Sequence, residues 1–489
     1  MLKEWRKESK PDGEELELRL ETARAQLLER QLVIKEKKLP VLVILEGWGA
    51  AGKGSVLGRV IRNMDPRFFK VDVGREPTKD EKSRPFLYRH FIKIPEAGQF
   101  GFLIGSWMKE VTKEYAQGEL SEQEYKKRLV SINCFERQLT DNGYLVLKFF
   151  FHIDEREQKK RLEELVEDKH TRWRVTENDL SQNRKYKKWV EVYDEYLEQT
   201  NQSDAPWHLI DSQNKKWAEL QMLEIMVNAI DTAFMKQHKT VSILQNHFPL
   251  KAIPNLSEIS LKDKVLEEKV YREELKICQK RLRELHNELY RKKIPVIIAY
   301  EGWDAAGKGG NIKRIAAALD PRGYEVHPIA SPEPHEKARH YLWRFWKRLP
   351  KDGHIAIFDR TWYGRVMVER LEGFCSENDW QRAYNEINEF EKELADWGAV
   401  IVKFWVQIDK DTQLERFTLR QNTPEKQWKI TEEDWRNREK WDLYEEAVNE
   451  MLQKTNTTYA SWHVLESNDK RYARIKALKT VIAAIEEKL

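Results

Sequence analysis

The sequence predicts two tandem α/β domains, each a doubly wound parallel sheet flanked by helices, and three observations support this fold class. First, the chain of 489 residues is too long for one ordinary domain. Second, the sequence repeats itself at a fixed offset of 255 positions, the distance between Glu46 and Glu301. Third, short apolar runs alternate with amphipathic helical segments in both halves, which is typical of parallel sheets with helices on their faces.

The repeat is clearest in two glycine-rich stretches, LEGWGAAGKGS at residues 45–55 and YEGWDAAGKGG at residues 300–310. Eight of these eleven positions are identical, and the offset continues without a gap over about 160 residues. For example, DPR at residues 65–67 aligns with DPR at residues 320–322. Because the period has the size of a domain, it indicates a tandem duplication and not a solenoid.

The repeat also sets the domain limits that we predict. We expect a first domain at residues 1–240, a linker at residues 241–260 and a second domain at residues 261–489. The linker is predicted around QNHFPLKAIPNLSE (245–258), because this stretch contains two prolines and lacks helical periodicity.

The order of predicted elements is the same in each half. A charged amphipathic helix comes first, and Pro40 or Pro295 ends it. An apolar run follows, VLVILEG or VIIAYEG, and each predicts a buried parallel strand. Further strands are predicted at HIAIFD (354–359), VIVKFWVQI (400–408) and WHVLES (462–467). Doubly wound sheets bind ligands at the carboxyl ends of their strands, where the glycine-rich stretch falls.

The composition argues against several classes of protein. The net charge of +4 is small for this length, which disfavours a dedicated nucleic-acid binder. Cys134, Cys278 and Cys375 show no metal or disulfide spacing, as expected in a reducing compartment. The N-terminus lacks the apolar stretch of a signal peptide, and the longest apolar run is too short to span a bilayer. We therefore expect a cytoplasmic protein that binds neither nucleic acid nor membrane, as a monomer or small homo-oligomer.

The second glycine-rich stretch matches a phosphate-binding loop. Residues 302–308 satisfy G-x-x-x-x-G-K between a predicted strand and a predicted helix, which is the context of a Walker A motif. Glycines let main-chain N–H groups turn towards phosphate oxygens, the helix N-terminus adds partial positive charge, and Lys308 adds a full charge. The predicted phosphate-binding positions of the loop are Gly302, Ala305, Ala306, Gly307, Gly309 and Gly310.

Two acids are candidate metal ligands. Gly309 stands where a Walker A motif usually has the Ser or Thr that contacts Mg²⁺, and Asp304 is the candidate replacement, either directly or through water. Asp359 ends a predicted strand, which is where a Walker B aspartate lies. An acid at a strand end is also common as a helix cap or turn residue, but the neighbouring phosphate loop favours metal binding. Arg360 follows it and is a candidate phosphate clamp.

A basic stretch with interleaved tryptophans, RFTLRQNTPEKQWKITEEDWRNR (416–438), is a candidate helical lid. Lids of this kind close on phosphates and exclude water. Arg416 and Arg420 are the candidate phosphate ligands, because they lie one helical turn apart. The alternative, a solvated helix pair linked by salt bridges, stays open because acids are plentiful in this stretch.

The first half lacks the acids at the equivalent positions. Gly49 replaces Asp304, and Ile104 and Gly105 replace Asp359 and Arg360, although Lys53 and the loop glycines remain. A phosphoryl-transfer site without metal ligands cannot neutralise the charge that develops on the transferred group. We therefore expect the first domain to keep the fold without the catalysis, and either to bind anions weakly or to act only as a packing partner.

The second half resembles the polyphosphate kinase 2 family in four ordered blocks: EGWDAAGKGGNIKRI, LDPRGYEV, YLWRFWKRLP and FDRTWYGRVMVERLEGF. The first half resembles the same family in degenerate form. The resemblance implies a P-loop kinase core with a helical lid in each domain. It implies Mg²⁺, with Mn²⁺ as the alternative, held by Asp304 and Asp359, and phosphate contacts from Lys308, Arg360 and the lid arginines. It further places four residues on the nucleotide side of the site: Tyr363, Arg365, Glu369 and Glu372.

The tandem arrangement resembles the class of that family that acts on AMP. This resemblance implies transfer of a terminal phosphoryl group from inorganic polyphosphate to AMP, giving ADP. Three alternatives stay open: a polyphosphate-dependent ADP kinase, an ATP-dependent small-molecule kinase, and a non-catalytic polyphosphate or nucleotide sensor. The intact acids and cations of the second half disfavour the sensor.

Overall fold

The computed structural model describes residues 1–7, 9–235 and 248–489, which form two compact units. Within the described residues, unit 1 contains residues 1–7, 9–76, 89–235 and 334–340, and unit 2 contains residues 77–88, 248–333 and 341–489. The predicted domain limits stay predictions. The end of the predicted first domain and the start of the predicted linker, residues 236–247, lie outside the described residues.

Unit 1 is built on a five-stranded sheet in which all strands run parallel, in the order β2-β3-β1-β4-β5. The strands are β1 (Val41–Gly47), β2 (Phe69–Val73), β3 (Phe100–Ile104), β4 (Leu145–His152) and β5 (Trp207–Asp211). The α-helices up to residue 235 are α1 (Gly13–Lys37), α2 (Lys53–Val60), α3 (Lys79–Lys82), α4 (Tyr88–Phe91), α5 (Trp107–Gln117), α6 (Glu122–Asp141), α7 (Glu155–Glu167), α8 (Glu177–Arg184), α9 (Tyr186–Gln199) and α10 (Lys215–Met235), of which α3 belongs to unit 2.

Unit 2 repeats this topology with a parallel sheet in the order β10-β9-β6-β8-β7. The strands are β6 (Val296–Gly302), β7 (Tyr324–Pro328), β8 (Ile355–Asp359), β9 (Val400–Gln407) and β10 (Trp462–Glu466). The α-helices after residue 248 are α11 (Glu268–Lys292), α12 (Lys308–Ala316), α13 (Pro334–Lys337), α14 (Trp343–Trp346), α15 (Val368–Leu371), α16 (Glu377–Asp396), α17 (Lys410–Gln421), α18 (Glu432–Glu439), α19 (Trp441–Thr455) and α20 (Lys470–Lys488), of which α13 belongs to unit 1.

The predicted fold class is confirmed, since each unit is a parallel sheet flanked by helices. The central strands β6 and β9 are buried along nearly their whole length, because helices cover both faces of the sheet. The edge strands β2 and β7 were not predicted from the sequence. Several of their residues are exposed, so they show no continuous apolar run.

A buried ion pair fixes the middle of each sheet. In unit 2, Lys403 of β9 lies 2.8 Å from Glu391 of α16, and both side chains are inaccessible to solvent. In unit 1, Lys148 and Glu136 make the equivalent pair at 2.6 Å. Such pairs are costly to disrupt, because removing either partner leaves an uncompensated buried charge. Among the described residues, no helix combines the length and apolarity needed to span a bilayer.

Candidate active site

The phosphate loop of unit 2 connects the end of β6 to the start of α12. Gly302 ends β6 with φ of 150°, and a Cβ there would lie 2.6 Å from the carbonyl oxygen of Val406, so only glycine fits. Gly307, with φ of 116°, caps α12, which begins at Lys308. Lys308 Nζ donates to the carbonyl oxygens of Gly302 at 2.5 Å and Trp303 at 3.2 Å. The loop therefore combines a helix N-terminus with a lysine, the two features that bind phosphate.

A pocket of about 580 Å³ opens over this loop. Its lining combines the loop residues 303–310 with strand-end residues and with residues of the lid, the segment 416–438. The strand-end residues are Pro328, Ile329, Asp359 and Arg360, and the lid residues are Arg420, Trp428 and Asp434. The structure thus brings together Asp304, Lys308, Asp359, Arg360 and Arg420. The predicted loop positions other than Gly302 line the same pocket.

Asp304 links the phosphate loop to two other parts of the site. Arg360 Nη2 lies 3.5 Å from Asp304 Oδ1, and Asn437 Nδ2 donates to Asp304 Oδ2 at 3.0 Å. Asp359 lies at the end of the neighbouring strand, where its register partner is Tyr300 of β6. The two carboxylates therefore face one pocket from adjacent strand ends.

The carboxylates of Asp304 and Asp359 fit a metal ion whose coordination shell is completed by substrate phosphates. Within the described residues, no group of three or more His, Cys, Asp or Glu side chains is arranged to hold a metal ion. Mg²⁺ does not require such a cage, because it commonly binds one or two carboxylates together with waters and substrate phosphates. Asp304 and Asp359 are the two candidate carboxylates.

Asp434, a third acid of the pocket, was not singled out from the sequence. Burial raises the pKa of Asp434, and the negative charge of Asp304 raises it further. Asp434 also caps α18, because its Oδ2 accepts hydrogen bonds from Thr431 N at 2.8 Å and Thr431 Oγ1 at 3.1 Å. The available signal was the pair Thr431 and Asp434, which recurs as Thr176 and Asp179 in the first half. A capping pattern explains that recurrence without pointing to a pocket.

Arg360 holds an unusual backbone conformation. Its φ is 66°, in the left-handed region that residues with a Cβ rarely adopt and that costs about 1–3 kcal/mol. Burial of Arg360 lowers the pKa of its guanidinium, but the surrounding acids, Asp304 first, raise that pKa overall. Arg360 therefore stays charged beside the phosphate loop.

The two predicted lid arginines separate in the structure. Arg416 is buried behind the loop, where it donates to the carbonyl oxygens of Ala305 and Ala306 at 3.0 Å, and to Ser467 at 2.6 Å and Asn468 at 3.0 Å. Burial lowers the pKa of Arg416 to about 10. In this position Arg416 supports the loop from behind, whereas Arg420 lines the pocket.

The four residues predicted on the nucleotide side do not line this pocket. Tyr363 is buried in the core, where its hydroxyl contacts Glu391 and Lys403 at 2.7 and 2.8 Å, and burial raises the pKa of that hydroxyl well above its usual value. The other three belong to half-buried ion pairs: Arg365 with Glu369 at 2.7 Å, and Glu372 with Lys440 at 2.6 Å. Their role beside a nucleotide stays a prediction.

The equivalent loop of unit 1 is filled by its own helix α8. Gly49 N donates to Gln182 Oε1 at 2.9 Å, and a Cβ on residue 49 would lie 2.9 Å from Asp179 Cγ. Asp179 thus takes the space that the Asp304 side chain has in unit 2. The pKa of Lys53 is lowered to about 8, mainly by burial; the charges of Glu46 and Asp179 oppose this shift, and Lys109 adds to it.

Comparison with known proteins identifies the family. The polyphosphate kinase 2 (PPK2) family model matches residues 10–238 and 265–489. The chain is 38% identical over 473 residues to the polyphosphate:AMP phosphotransferase of Pseudomonas aeruginosa, covering 95% of this chain and 94% of that one. It is 36% identical to the polyphosphate:AMP phosphotransferase of Acinetobacter johnsonii, covering 97% and 96% of the two chains.

A solved structure gives the same result. The crystal structure of a candidate polyphosphate kinase 2 from Pseudomonas aeruginosa PA01 superposes with a TM-score of 0.86 at 36% identity, covering 100% of this chain and 99% of that one. The resemblance inferred from four sequence blocks is thereby confirmed. With the family model matching both repeats and the fold matching over the whole length, this chain belongs to the polyphosphate kinase 2 family.

Proposed function

We propose that this protein transfers the terminal phosphoryl group of inorganic polyphosphate to AMP, giving ADP. The observation that carries the proposal is the convergence of Asp304, Lys308, Asp359 and Arg360 on one pocket over a phosphate loop. The choice of substrates is supported by relatives named polyphosphate:AMP phosphotransferase, which align with nearly the whole chain.

The proposed cofactor is Mg²⁺, with Mn²⁺ as an alternative that accepts the same oxygen ligands. Asp304 and Asp359 would hold it together with phosphate oxygens. A bound metal would supply neutralisation of the charge that develops on the transferred group.

The residues of the chain supply the rest of the catalysis by positioning and electrostatics. The main-chain N–H groups of the loop, Lys308 and Arg360 hold the polyphosphate end. An oxygen of the AMP phosphate attacks the terminal phosphorus in line, the bond from that phosphorus to its bridging oxygen breaks, and the shortened polyphosphate leaves with the electron pair. The attacking oxygen is already anionic, so a strong general base is not needed. The reaction is reversible, because both bonds are phosphoanhydrides.

The lid side of the pocket has a complementary role in this proposal. Arg420 brings a positive charge to the pocket opposite the loop, and Trp428 brings apolar surface that excludes water. Excluding water strengthens the electrostatic contacts and protects the phosphoryl group from hydrolysis. A cytoplasmic location is also part of the proposal, supported by three cysteines that form no disulfide: Cys134, Cys278 and Cys375.

A two-by-two assay tests the proposal. Purified protein with Mg²⁺ receives AMP or ADP as acceptor and polyphosphate or ATP as donor, and the nucleotides are separated by chromatography. We expect ADP from AMP and polyphosphate, and loss of this product in Lys308→Ala but not in the matched Lys53→Ala. ATP formed only from ADP and polyphosphate would contradict the choice of acceptor. Product formed only with ATP as donor would contradict the choice of donor.

A further inference from the structure

Glu301, which no part of the proposed mechanism uses, joins the ends of two neighbouring strands. It lies in β6 directly before Gly302 and is 5% exposed. Its Oε1 accepts hydrogen bonds from both the main-chain N–H and the hydroxyl of Thr361, each at 2.7 Å. The Thr361 hydroxyl in turn accepts from Tyr363 N at 3.1 Å. One buried carboxylate oxygen therefore fixes the turn that follows β8.

This turn carries two residues of the pocket. Asp359 and Arg360 directly precede Thr361, so the Glu301 contact is one residue away from the left-handed backbone of Arg360. On its other side, Arg360 N donates to the carbonyl oxygen of Tyr300 at 3.0 Å. Arg360 is thus held from both sides by β6. An unfavourable backbone conformation persists only where the surroundings fix it in this way.

Unit 1 contains the same contact without the pocket residues. Glu46 is 3% exposed, and its Oε1 accepts from the hydroxyl of Ser106 at 2.7 Å and from Ser106 N at 2.5 Å. The turn before Ser106 has Gly105 at the position of Arg360, with φ of 79°. Glycine adopts this conformation without strain. The chain therefore holds two copies of one turn, and only one of them must hold an arginine.

We propose that Glu301 is a positioning residue for phosphoryl transfer, which holds Asp359 and Arg360 in the pocket through its two hydrogen bonds to Thr361. Glu301 acts through the turn and does not touch the substrate. The proposal rests on the function proposed above. It assigns a use to a buried acid whose counterpart Glu46 has a structural use alone.

The test compares Glu301→Ala and Glu301→Gln with the matched control Glu46→Ala. Glu301→Ala is expected to lower kcat about tenfold or more, because the turn is no longer fixed. Glu301→Gln keeps an oxygen that can accept both hydrogen bonds, so kcat should stay within about threefold of the parent. Glu46→Ala loses the equivalent contact and should lower Tm as Glu301→Ala does, while kcat changes less than about twofold.

A double-mutant cycle tests whether Glu301 acts through Arg360. In an Arg360→Gly background, where the turn has the residue of unit 1, Glu301→Ala should lower kcat by less than about threefold, since glycine needs no fixing. If Glu301→Ala does not fold, Thr361→Val takes its place, with Thr361→Ser as the conservative variant that restores kcat.

Three outcomes would overturn the proposal. They are an equal loss of kcat in Glu301→Ala and Glu46→Ala, a Glu301→Gln variant as impaired as Glu301→Ala, and a full Glu301→Ala effect in the Arg360→Gly background. Failure of the proposed function is distinguishable, because the parent protein would then form no ADP from AMP and polyphosphate. In that case the same variants are compared by calorimetric titration with polyphosphate alone, where Glu301→Ala should weaken binding and Glu46→Ala should not.

Discussion

Asn437 of the lid helix α18 donates a 3.0 Å hydrogen bond to the carboxylate of Asp304 in the phosphate loop. At the equivalent positions of unit 1, Gln182 reaches the main-chain N–H of Gly49 at 2.9 Å. Gln182 is one methylene longer than Asn437, so it reaches the main chain of Gly49, which has no carboxylate to contact. The equivalent helices α8 and α18 therefore contact the same loop position in the two units. Only in unit 2 is that position an acid, Asp304.

Replacement of the acids by amides tests the metal assignment. Asp304→Asn and Asp359→Asn should each lower kcat by about a hundredfold or more, because the charge that binds Mg²⁺ is lost while the size of the side chain is kept. Each variant should also need more Mg²⁺ for half-maximal rate. The measurement is ADP formation across a Mg²⁺ titration, with Asp320→Asn as the control. Unchanged activity in Asp359→Asn would contradict the assignment.

Trp428 of the lid and Trp173 of unit 1 stand at equivalent positions, so each can serve as the control for the other. Trp428 lines the pocket although it is 75% exposed, and Trp173 of unit 1 is 74% exposed. Trp428→Ala should raise KM for polyphosphate or AMP about tenfold, because apolar surface that packs on the bound substrate is lost. Trp173→Ala should leave KM unchanged. Steady-state kinetics of both variants decide the matter, and equal effects would count against a role specific to Trp428.

Restoring the acid to the loop of unit 1 should destabilise it. In Gly49→Asp the new side chain meets Asp179, which already takes that space and carries the same charge. We expect the free energy of unfolding to fall by about 1–3 kcal/mol, as measured by denaturant titration. Adding Asp179→Ala should recover most of the loss. An unchanged midpoint in Gly49→Asp would show that the space is not filled in solution.

His152 should make unit 1 sensitive to acid. Trp48 Nε1 donates to His152 Nδ1 at 3.1 Å, which requires a neutral acceptor nitrogen. Burial lowers the pKa of His152 to about 4. The unfolded chain, with an ordinary pKa of about 6.5, therefore binds the proton first as the pH falls. The contribution of neutral His152 to the free energy of unfolding is complete above about pH 6.5. It is lost between about pH 6.5 and about pH 4, and the loss amounts to up to about 3 kcal/mol.

The matched control for this pH dependence is His152→Gln. Gln407 holds the equivalent position in unit 2, where it accepts from Trp303 Nε1 at 2.9 Å. His152→Gln should keep the hydrogen bond and lose the titration. Denaturant midpoints at pH 7 and pH 5 should then differ less in the variant than in the parent. An identical pH dependence in both proteins would rule His152 out as the cause.

The sequence was sufficient for the parts of the fold that local chemistry determines. A buried strand, a glycine turn and a helix that starts at Lys308 follow one another directly in the chain, so the phosphate loop could be predicted without tertiary information. Asp359 could be predicted in the same way, because an acid that ends an apolar parallel strand lies at the carboxyl end of the sheet. The edge strands β2 and β7 could not be found in this way, since they are half-exposed and lack an apolar run.

The rest of the site depends on contacts between distant segments. Helical spacing places Arg416 and Arg420 on one face, but it cannot show that Arg416 binds four carbonyl oxygens behind the loop. Glu301 ends an apolar run and Asp434 lies in a charged stretch, but only the folded chain shows that Glu301 accepts hydrogen bonds from Thr361 and that Asp434 lines the pocket. Periodicity describes which way a side chain points along its own element, and not which element it meets.

The left-handed turn before Thr361 has a consequence for how a duplicated gene can change. In the copy with arginine, the protein retains a strained backbone because the side chain is useful. In the copy with glycine, the strain is absent, and the folded state is more stable by that amount. Each subsequent mutation in the glycine copy is then selected on a relaxed turn. A change of Gly105 back to arginine would bring back the backbone strain at once. It would bring no benefit until acids also stood at positions 49 and 104. A loss of catalysis in the first half, as expected from its missing acids, would therefore be favoured by stability, and its reversal would be opposed by stability.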